Sequence, residues 1–577
     1  MYISDYGRRV HAVFFIFCIL LIFCAWRLLF IQFFRSHYLA GIAKKQHNLF
    51  IELEPRRGTI FDCNLKAQAA NISMDSVYAS PVEIPEKVKP ALITQLSGIL
   101  NLGAGFLNER LSRTKSFVWI ARKISPAQSQ AIRKLNVKGI DFIKETKRCY
   151  PNCYLASHVI GFAGLDNSGL EGAELCFNRY LRGESGWTFV LRDARQKKLD
   201  LSDRVLLPKD GYDLILTIDE VIQYIAEREL DKVYKASRAK GASIIVMNPY
   251  TGAILAIANR PTYDLNEYSV SSEDARRNRA VCDLFEPGSV FKIVTASAAL
   301  GENKVKETDK FFCENGAYRV ANHILHDHQK HGVLTFAQVI QESSNIGTTK
   351  VAQILGPEVV YRYARLLGFG AKSGIDIPGE ISGMLKEPRF WSKTSIGAVP
   401  IGQEVGVTAL QLANAISAIA NGGLLMKPYI VSEVRDKFGE TIKKFSPQVK
   451  SKAILPETAS RVKKILEGAV EEGTGKLAKI EGYSAAGKTG TAQKVEPNGS
   501  YSHDKFIASF IGFAPAEEPA VAIVVTVDEP RSSHFGGVVS APVFRAVAHD
   551  VLRYLKVKPS TQTSNEVVAF NEALTAD

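Results

Sequence analysis

The distribution of apolar residues along the chain begins with one long run near the N-terminus. Residues Ala12–Trp26 (AVFFIFCILLIFCAW) carry no charge, and after Arg27 the apolar sequence continues to Phe34. An α-helix needs about 20 mainly apolar residues to cross a bilayer. Val10–Phe34 is therefore predicted to be a transmembrane helix, with Arg27 extended toward the interface. A cleaved signal peptide is the alternative, but no small-residue cleavage site follows Trp26, which favours an uncleaved anchor.

Two arginines, Arg8 and Arg9, precede this run, and the positive-inside rule places residues 1–9 in the cytoplasm. No later stretch approaches 18 apolar residues. About 540 residues follow the predicted span. Because they contain no second span, they are expected on the far side of the membrane.

Past the anchor, the pattern changes to short elements. Residues 45–215 mix a strand-like alternation at Asn48–Glu54 with charged helical stretches and a glycine-rich run at Gly161–Gly172. From 216 to 556 the periodicity predicts a helix over Glu220–Tyr234 and a β-hairpin formed by Ala242–Asn248 and Ala253–Ala258. Further segments are predicted to be helical at 287–300, 333–368 and 407–421, and two closing strands are predicted at Phe506–Phe513 and Ala520–Val527.

Strands at both ends of the second region, with helices between them, predict an antiparallel sheet that carries a helical layer. The predicted architecture is an anchor helix, a mixed α+β domain at 45–215 and an α/β domain at 216–556. The polar residues 557–577 are expected to form a flexible tail.

Composition narrows the class of protein. The 577 residues are 46% hydrophobic and 23% charged, with 8 cysteines, so the chain is globular and has no disulfide framework. The formal net charge is +13, of which +5 lies in residues 1–50. Because the basic excess lies partly beside the membrane, nucleic acid is not an expected partner, and an acidic surface polymer or anionic lipid fits better.

The motif S-x-x-K occurs five times, and its context separates one occurrence from the rest. Ser289 follows Pro287-Gly288 and begins an almost wholly apolar segment that runs to Leu300. Proline and glycine favour a turn, and a helix that is apolar on nearly every face is buried. The other four serines lie in charged surroundings typical of a solvated surface: Ser112, Ser237, Ser460 and Ser502.

Lys292 shares a helix face with Ser289, since the two residues are three positions apart. Desolvation lowers the pKa of a buried lysine, and a neutral lysine beside a serine hydroxyl can act as its general base. Free N–H groups at the helix N-terminus can also stabilise an oxyanion. The alternative is that Lys292 merely pairs with a carboxylate, and this motif alone does not decide between the two.

Two further motifs follow in order. S-x-N occurs once, at Ser343-Ser344-Asn345, and K-T-G occurs once, at Lys488-Thr489-Gly490. The order S-x-x-K, S-x-N, K-T-G is that of penicillin-recognising serine acyltransferases. The chain thus resembles a class B penicillin-binding protein, a monofunctional D,D-transpeptidase of peptidoglycan synthesis.

The resemblance covers nearly the whole chain. Further segments similar to the family pattern are Arg56–Asp62, Arg148–Pro151, Gly169–Glu174, Leu216–Asp219, Glu286–Ser289 and Ser509–Phe513. One departure is Cys63-Asn64-Leu65, where the family often has R-N-G, which puts the local turn in doubt but not the chemistry. The resemblance implies that 45–215 is the non-catalytic pedestal (the dimerisation-type domain) and 216–556 the transpeptidase domain.

The resemblance also implies roles for the first two motifs. Ser289 would attack the penultimate D-Ala carbonyl of a stem pentapeptide, release the terminal D-Ala and form an acyl-enzyme. Lys292 would take the serine proton, Ser343 would relay a proton toward the leaving amine, and Asn345 would position the substrate amide and Lys292. The acceptor amine of a neighbouring stem peptide would then convert the ester into a cross-link.

For the third motif, the resemblance implies substrate and oxyanion binding by Lys488, Thr489, Gly490 and Thr491. Lys488 would supply positive potential for the substrate carboxylate, together with the hydroxyls of Thr489 and Thr491. The N–H groups of Ser289 and Thr491 would form the oxyanion hole. β-Lactams would acylate Ser289, and the chemistry requires no metal or organic cofactor.

Within the class, Asn345 and the short Gly161–Glu174 region resemble the septal division type. An elongation- or sporulation-type transpeptidase is the alternative, as is a D,D-carboxypeptidase or β-lactamase-like hydrolase. A non-catalytic scaffold for divisome proteins is a further possibility.

The expected location is the inner (cytoplasmic) membrane with the catalytic domain outside the cytoplasm. Divisome proteins and a glycosyltransferase are the expected partners.

Two clusters of cysteine and histidine residues resemble metal sites, but neither is predicted to bind a metal ion. Cys149, Cys153, Cys176 and His158 do not match zinc-ligand spacing well. A disulfide between Cys149 and Cys153 is possible, although unpaired small core residues fit better. The second cluster is predicted to be a solvated loop: His323, His326, His328 and His331.

Overall fold

A computed structural model describes residues 3–39, 48–113, 115, 117–192, 198–496 and 498–559. The chain forms two compact units. The first comprises Met1–Arg56, Ser73–Thr146 and Gly183–Asp210, and the second comprises Arg57–Ile72, Lys147–Arg182 and Gly211–Asp577. Most of the predicted flexible tail, from residue 560 onward, lies outside the described residues.

The N-terminal helix spans Ile3–Phe34. Its segment Gly7–Phe34 has a mean hydropathy of 2.7 and is not buried against protein. Among the described residues it is the one helix long and apolar enough to cross a membrane, as the sequence predicts for Val10–Phe34.

The remainder of the first unit is mixed α+β. Its core is formed by Val77, Leu92, Leu96, Ile120 and Ile132. Its helices are Lys89–Leu100, Ala104–Leu111 and Pro126–Leu135. An antiparallel three-stranded sheet has the order Asn48–Leu53, Gly186–Arg192, Lys198–Leu206. The second half of the strand Ala67–Ala79 pairs with Val118–Ile124. The strand Ile140–Cys149 also pairs with Ala67–Ala79.

The second unit is built on an antiparallel five-stranded sheet. The strand order is Ile254–Arg260, Gly241–Met247, Val521–Asp528, Tyr501–Ala514, Ala486–Val495. The hairpin and the two closing strands are thus confirmed. The edge strand Ala486–Val495 was not predicted, because most of its residues are small or polar and its β-branched residues, Thr489, Thr491 and Val495, are too few to mark a strand.

The sheet is buried on both faces, since successive side chains of a strand point to opposite sides. Ile245 and Phe513 pack into one core with the helices Lys292–Gly301 and Ala409–Ala420. Side chains of the opposite face pack into a second core with the helices Glu220–Ser237 and Ala541–Tyr554, the latter of which was not predicted.

The remaining elements of the second unit surround this sheet. A second sheet contains, in order, Thr441–Lys444, Val431–Arg435, Asp213–Leu216, Ile60–Phe61 and the first half of Ala67–Ala79. Two-stranded pairs are Lys310–Phe312 with Val333–Thr335, Ala317–Val320 with His323–His326, and Leu424–Met426 with Val449–Lys452. The other α-helices are Ser157–Ile160, Gly172–Cys176, Asn178–Leu181, Glu273–Arg276, Arg279–Cys282, Phe336–Gln341, Asn345–Leu355, Pro357–Leu366, Ser395–Ala398, Pro456–Glu471 and Gly536–Val539. Short 3-10 helices are Leu265–Val270, Gly288–Phe291, Glu314–Gly316, Pro388–Phe390, Val399–Ile401 and Lys476–Ala478.

Some local expectations are corrected. Ser237 and Ser502 are buried rather than solvated, because they lie on a packed helix end and in a sheet strand. The cysteines of the described chain are free, so Cys149 and Cys153 form no disulfide; both are half-buried rather than in the core. His323 and His326 are exposed, but they lie in a strand and not in a loop.

Candidate active site

Ser289 lies in a tight turn that leads directly into a buried helix. The 3-10 turn Gly288–Phe291 precedes the helix Lys292–Gly301, in which every residue from Lys292 to Leu300 is buried. Gly288 has a φ of +57°, and a Cβ there would come within 2.7 Å of the Thr491 carbonyl oxygen. The turn therefore packs closely on the strand that carries the third motif, and only glycine fits at this point.

Lys292 joins the first motif to the second. Its Nζ donates hydrogen bonds to the carbonyl oxygen of Ser343 at 2.5 Å, to Ser343 Oγ at 3.2 Å and to Asn345 Oδ1 at 2.8 Å. All three acceptors are uncharged, so pairing of Lys292 with a carboxylate, the alternative left open by the sequence, does not describe these contacts.

The charge state of Lys292 follows from its surroundings. Burial lowers the pKa of Lys292 well below its usual value, and the positive charge of Lys488 lowers it further. The negative charge of Asp327 acts in the opposite direction but is a smaller effect. A lysine in this position loses its proton readily and can accept one from a neighbouring hydroxyl.

The second motif lies at a helix N-terminus. Ser343 has a φ of +62°, which turns the chain into the helix Asn345–Leu355. Ser344 caps this helix by accepting from Gly347 N at 2.9 Å. The reversal at Ser343 places both its carbonyl and its hydroxyl next to Lys292.

Asp327 holds the second motif in place. Its Oδ1 accepts from the backbone N–H groups of Asn345 at 2.5 Å and Ile346 at 3.0 Å, and its Oδ2 accepts from Ser344 Oγ at 2.6 Å. A carboxylate at a helix N-terminus satisfies free N–H groups and interacts favourably with the helix dipole. The role of Asp327 was not predicted from the sequence, because nothing in the segment HILHDHQKH indicates that this residue caps a helix 18 residues later.

Lys488 of the third motif is completely buried in the edge strand Ala486–Val495. Burial lowers the pKa of Lys488 to about 7, and the negative charge of Glu342 partly opposes this. Among the described residues, its Nζ makes long contacts to the carbonyl oxygen and Oγ1 of Thr489, at 3.4 and 3.5 Å. A buried cation in this position can act on a ligand in the cleft through its electric field.

The threonines of the third motif line the open side of the strand. The Oγ1 atoms of Thr489 and Thr474 share a hydrogen bond of 2.9 Å. Thr491 Oγ1 accepts from Gly536 N at 3.1 Å. Gly490 lies between them, and a Cβ there would come within 2.3 Å of Ser509 Oγ and 2.8 Å of a Val290 methyl. A larger residue at 490 would therefore push the strand away from the turn that carries Ser289.

These elements enclose a cleft of about 660 Å³. Its lining residues include Ser289, Ser343, Asn345, Thr489 and Thr491, together with Glu286, His328, Glu342, Gln403, Thr474, Phe506, His534 and Phe535. Lys292 and Lys488 lie behind this surface. The cleft combines a serine hydroxyl, a lysine of lowered pKa and polar hydroxyls above a buried cation, a set suited to acyl transfer on a ligand that bears a carboxylate.

The histidine-rich segment contributes to this cleft in a way that the sequence did not indicate. His328 lies on its rim, with its ring 4.8 Å from that of Phe535. The carbonyl oxygen of His326 accepts from Asn345 Nδ2 at 3.0 Å. Among the described residues, no group of three histidine, cysteine or acidic side chains is placed to hold a metal ion.

Comparison with known proteins gives the family. Residues 242–549 match the penicillin-binding protein transpeptidase domain, and residues 52–216 match the penicillin-binding protein dimerisation domain. The chain belongs to the class B penicillin-binding protein family, and the fold predicted for it is confirmed.

Curated relatives resemble the chain over most of its length. It is 37% identical to stage V sporulation protein D of Bacillus subtilis over 560 residues, 96% of this chain and 86% of the relative. It is 34% identical to the probable peptidoglycan D,D-transpeptidase PenA of Neisseria gonorrhoeae, over 88% of this chain and 86% of the relative. It is 32% identical to the peptidoglycan D,D-transpeptidase FtsI of Escherichia coli, over 90% and 87%.

Solved structures are similar as well. A peptidoglycan synthetase from Bifidobacterium adolescentis gives a TM-score of 0.72 at 25% identity, covering 90% of this chain and 98% of that one. Penicillin-binding protein 3 of Mycobacterium tuberculosis, complexed with ampicillin, gives a TM-score of 0.70 at 26% identity, covering 89% and 98%.

Proposed function

We propose that this enzyme is a peptidoglycan D,D-transpeptidase that uses Ser289 as its nucleophile. The observation that carries the proposal is the contact of Lys292 with both Ser343 and Asn345 behind a cleft that Ser289 lines. Relatives named as peptidoglycan D,D-transpeptidases support the substrate class.

In the proposed acylation step, neutral Lys292 accepts the proton of Ser289 as Oγ attacks the carbonyl of the penultimate D-Ala. Ser343, within 3.2 Å of Lys292 Nζ, returns a proton to the leaving amine of the terminal D-Ala. Asn345 keeps Lys292 in position with Oδ1 and holds the substrate amide. The C–N bond of the terminal D-Ala breaks and an ester to Ser289 forms.

The third motif binds the other end of the donor peptide in this proposal. Lys488 supplies the positive potential for the terminal carboxylate, and the hydroxyls of Thr489 and Thr491 contact it. The N–H groups of Ser289 and Thr491 stabilise the oxyanion, while Gly490 allows the strand to approach Ser289. The amine of a second stem peptide then displaces Ser289, and β-lactams stop the cycle by acylating the same serine. The reaction as proposed uses no metal or organic cofactor.

Mass spectrometry after exposure to penicillin tests the nucleophile. We expect one adduct on wild type, located on Ser289, and no adduct on Ser289→Ala. Ser112→Ala is the matched control, because Ser112 also belongs to an S-x-x-K motif but is exposed on the first unit. An adduct that persists in Ser289→Ala, or that lies on Ser112, would show that the assignment is wrong.

A carboxypeptidase or β-lactamase-like hydrolase would share this acylation step. A β-lactamase-like hydrolase would release the penicillin adduct quickly, whereas a carboxypeptidase would transfer the peptide acyl group to water instead of an amine. Persistence of the penicillin adduct distinguishes the transpeptidase from the first, and formation of cross-linked product from donor and acceptor stem peptides distinguishes it from the second.

We further propose a septal role at the inner membrane, with the anchor helix fixing the catalytic domain on the extracytoplasmic side. Asn345 and the compact Gly161–Glu174 segment, which resemble the septal type, support it. The similarity to a sporulation protein favours the sporulation type as the second candidate. Divisome proteins and a glycosyltransferase are the proposed partners.

Depletion in the host tests the cellular role. A septal enzyme should be found at midcell as a fluorescent fusion, and its loss should block septation first. Normal vegetative division with a defect confined to spores would favour the sporulation type, and rounded cells that still form septa would favour the elongation type.

A further inference from the structure

Glu286 lines the cleft three residues before Ser289, and the mechanism above does not use it. One carboxylate oxygen, Oε1, accepts from the backbone N–H of Glu404 at 2.8 Å and from Tyr501 OH at 3.2 Å. These two donors, from separate parts of the chain, fix the orientation of the side chain.

The second oxygen of Glu286 is different. Oε2 is buried and has no hydrogen-bond partner among the described residues. A buried carboxylate oxygen is costly to leave unpaired. Within the part of the chain that the structure describes, Glu286 also has no lysine or arginine partner within ion-pair distance. An oxygen of this kind on the wall of a ligand cleft is suited to receive an N–H donor from a bound molecule.

A second carboxylate adds negative charge at the same place. Glu404 lines a smaller cavity of about 170 Å³, and Gln403 lines both this cavity and the main cleft. Glu404 has a φ of +58°, and its Oε2 accepts from Ser395 Oγ at 2.6 Å. Burial raises the pKa of Glu286, and the negative charge of Glu404 raises it further. A bound cation would relieve both effects.

The two ends of the cleft therefore differ in charge. Lys488 and Lys292 lie behind the end that suits a carboxylate, while Glu286 and Glu404 make the region before Ser289 acidic. The proposed reaction needs two ligands of different charge, because the donor ends in a carboxylate and the acceptor brings an amine that is protonated in water at neutral pH.

We propose that Glu286 is the residue that binds the protonated amine of the acceptor peptide at the acyl-enzyme. This assignment rests on the transpeptidase function proposed above. The ammonium would donate to Oε2 and transfer one proton to it, which leaves a neutral amine. The amine nitrogen then bonds to the ester carbonyl carbon, the bond from that carbon to Ser289 Oγ breaks, and Oγ takes up the second proton lost by nitrogen.

Glu286→Gln in the full-length enzyme tests the assignment. The amide keeps an oxygen for the Glu404 N–H and Tyr501 contacts but replaces the unpaired oxygen by an N–H donor. The donor is an N-acyl-D-alanyl thioester, and the acceptors are glycinamide, with an ammonium group and no carboxylate to bind at the Lys488 end, and glycolamide, with a neutral hydroxyl in place of the ammonium. We expect the ratio of transfer to hydrolysis with glycinamide to fall about a hundredfold or more, in the range for loss of an acid–base group.

Three comparisons separate this role from a structural one. Transfer to glycolamide and the rate of penicillin acylation should both stay close to wild type. Glu404→Gln is the matched comparison: it removes one negative charge beside Glu286 but keeps the backbone N–H bond and the Glu286 carboxylate, so transfer to glycinamide should fall much less than in Glu286→Gln.

Other outcomes would overturn the assignment. An equal loss of penicillin acylation would mean that Glu286 only supports the turn before Ser289, and an equal loss with both acceptors would mean that no cation is recognised. Unchanged transfer to glycinamide would also reject it. Failure of penicillin to acylate wild type would instead reject the proposed function itself.

Discussion

Two lysines within the second unit, Lys292 and Lys488, are each completely buried. The positive charge of Lys488 is one reason why the pKa of Lys292 is low. A site that needs one neutral base and one cation is thereby obtained from two residues of the same type, because their surroundings differ.

The pH dependence of acylation follows from this pair. The pKa of Lys488 is lowered to about 7, so its charge is lost as the pH rises through 7. Lys292 must be neutral to act, and its pKa is well below its usual value, so it is limiting only on the acid side. We expect the second-order rate of penicillin acylation to fall about fivefold from pH 7 to pH 8, as the charged fraction of Lys488 falls. Stopped-flow measurement with a fluorescent penicillin checks this.

Glu342→Gln provides the matched variant for that profile. The negative charge of Glu342 raises the pKa of Lys488, so its removal should move the alkaline fall to lower pH. An alkaline fall that does not move, or a rate that increases above pH 7, would contradict the role given to Lys488.

Replacing the proposed base is a second test at this scale. Lys292→Arg keeps a long basic side chain but introduces a group that does not deprotonate. We expect acylation to slow by about 10²–10⁴-fold, the usual effect of losing a general base. Acylation within threefold of wild type, in a variant whose thermal unfolding is unchanged, would show that Lys292 is structural.

At the scale of single elements, the position of one helix determines the geometry of the site. The helix Asn345–Leu355 carries one end of the second motif, and Asp327 binds its first two free N–H groups. Ser343 can face Lys292 only while this helix N-terminus stays in place. The cap thus connects a surface hairpin to Lys292, the proposed base.

Asp327→Ala should therefore affect both stability and rate. Loss of a capping carboxylate costs about 0.5–2 kcal/mol, and we expect a lower midpoint of thermal unfolding together with slower penicillin acylation. Glu314→Ala is the control, since Glu314 pairs with Lys350 on the same helix at 2.6 Å but lies away from its N-terminus. It should cost less than about 1 kcal/mol, as surface ion pairs do. Equal acylation by both variants would contradict the positioning role of Asp327.

At the scale of the whole molecule, the segment Gly7–Phe34 is distinct because its apolar side chains are not covered by protein. In the rest of the described chain, by contrast, many apolar residues are packed into cores. Exposed apolar surface of this extent fits a membrane anchor.

Removing residues 1–35 should convert the enzyme into a soluble form. We expect this truncated chain in the supernatant without detergent and acylated by penicillin at the rate of the full-length enzyme. Fractionation followed by gel fluorescence checks both. Retention of the truncated chain in the membrane fraction after a high-salt wash would contradict the single-anchor prediction.

Local periodicity determined much of this fold in advance. The anchor, the hairpin Gly241–Met247 with Ile254–Arg260 and the buried helix after Ser289 all follow from hydrophobic spacing within about 20 residues. The strand Ala486–Val495 did not, because its place at the edge of the sheet comes from pairing with Tyr501–Ala514 and not from its own side chains.

The sequence by itself identified the residues of the candidate site, because each of the three motifs is short and the motifs occur in a recognisable order. Only the tertiary structure decided which of these residues contact one another. The contacts of Lys292 with Asn345 and of Asp327 with the second motif, like that of Glu286 with Glu404, join residues far apart in sequence. Such contacts depend on how the helices and the sheet pack, and hydrophobic spacing within one segment carries no information about them.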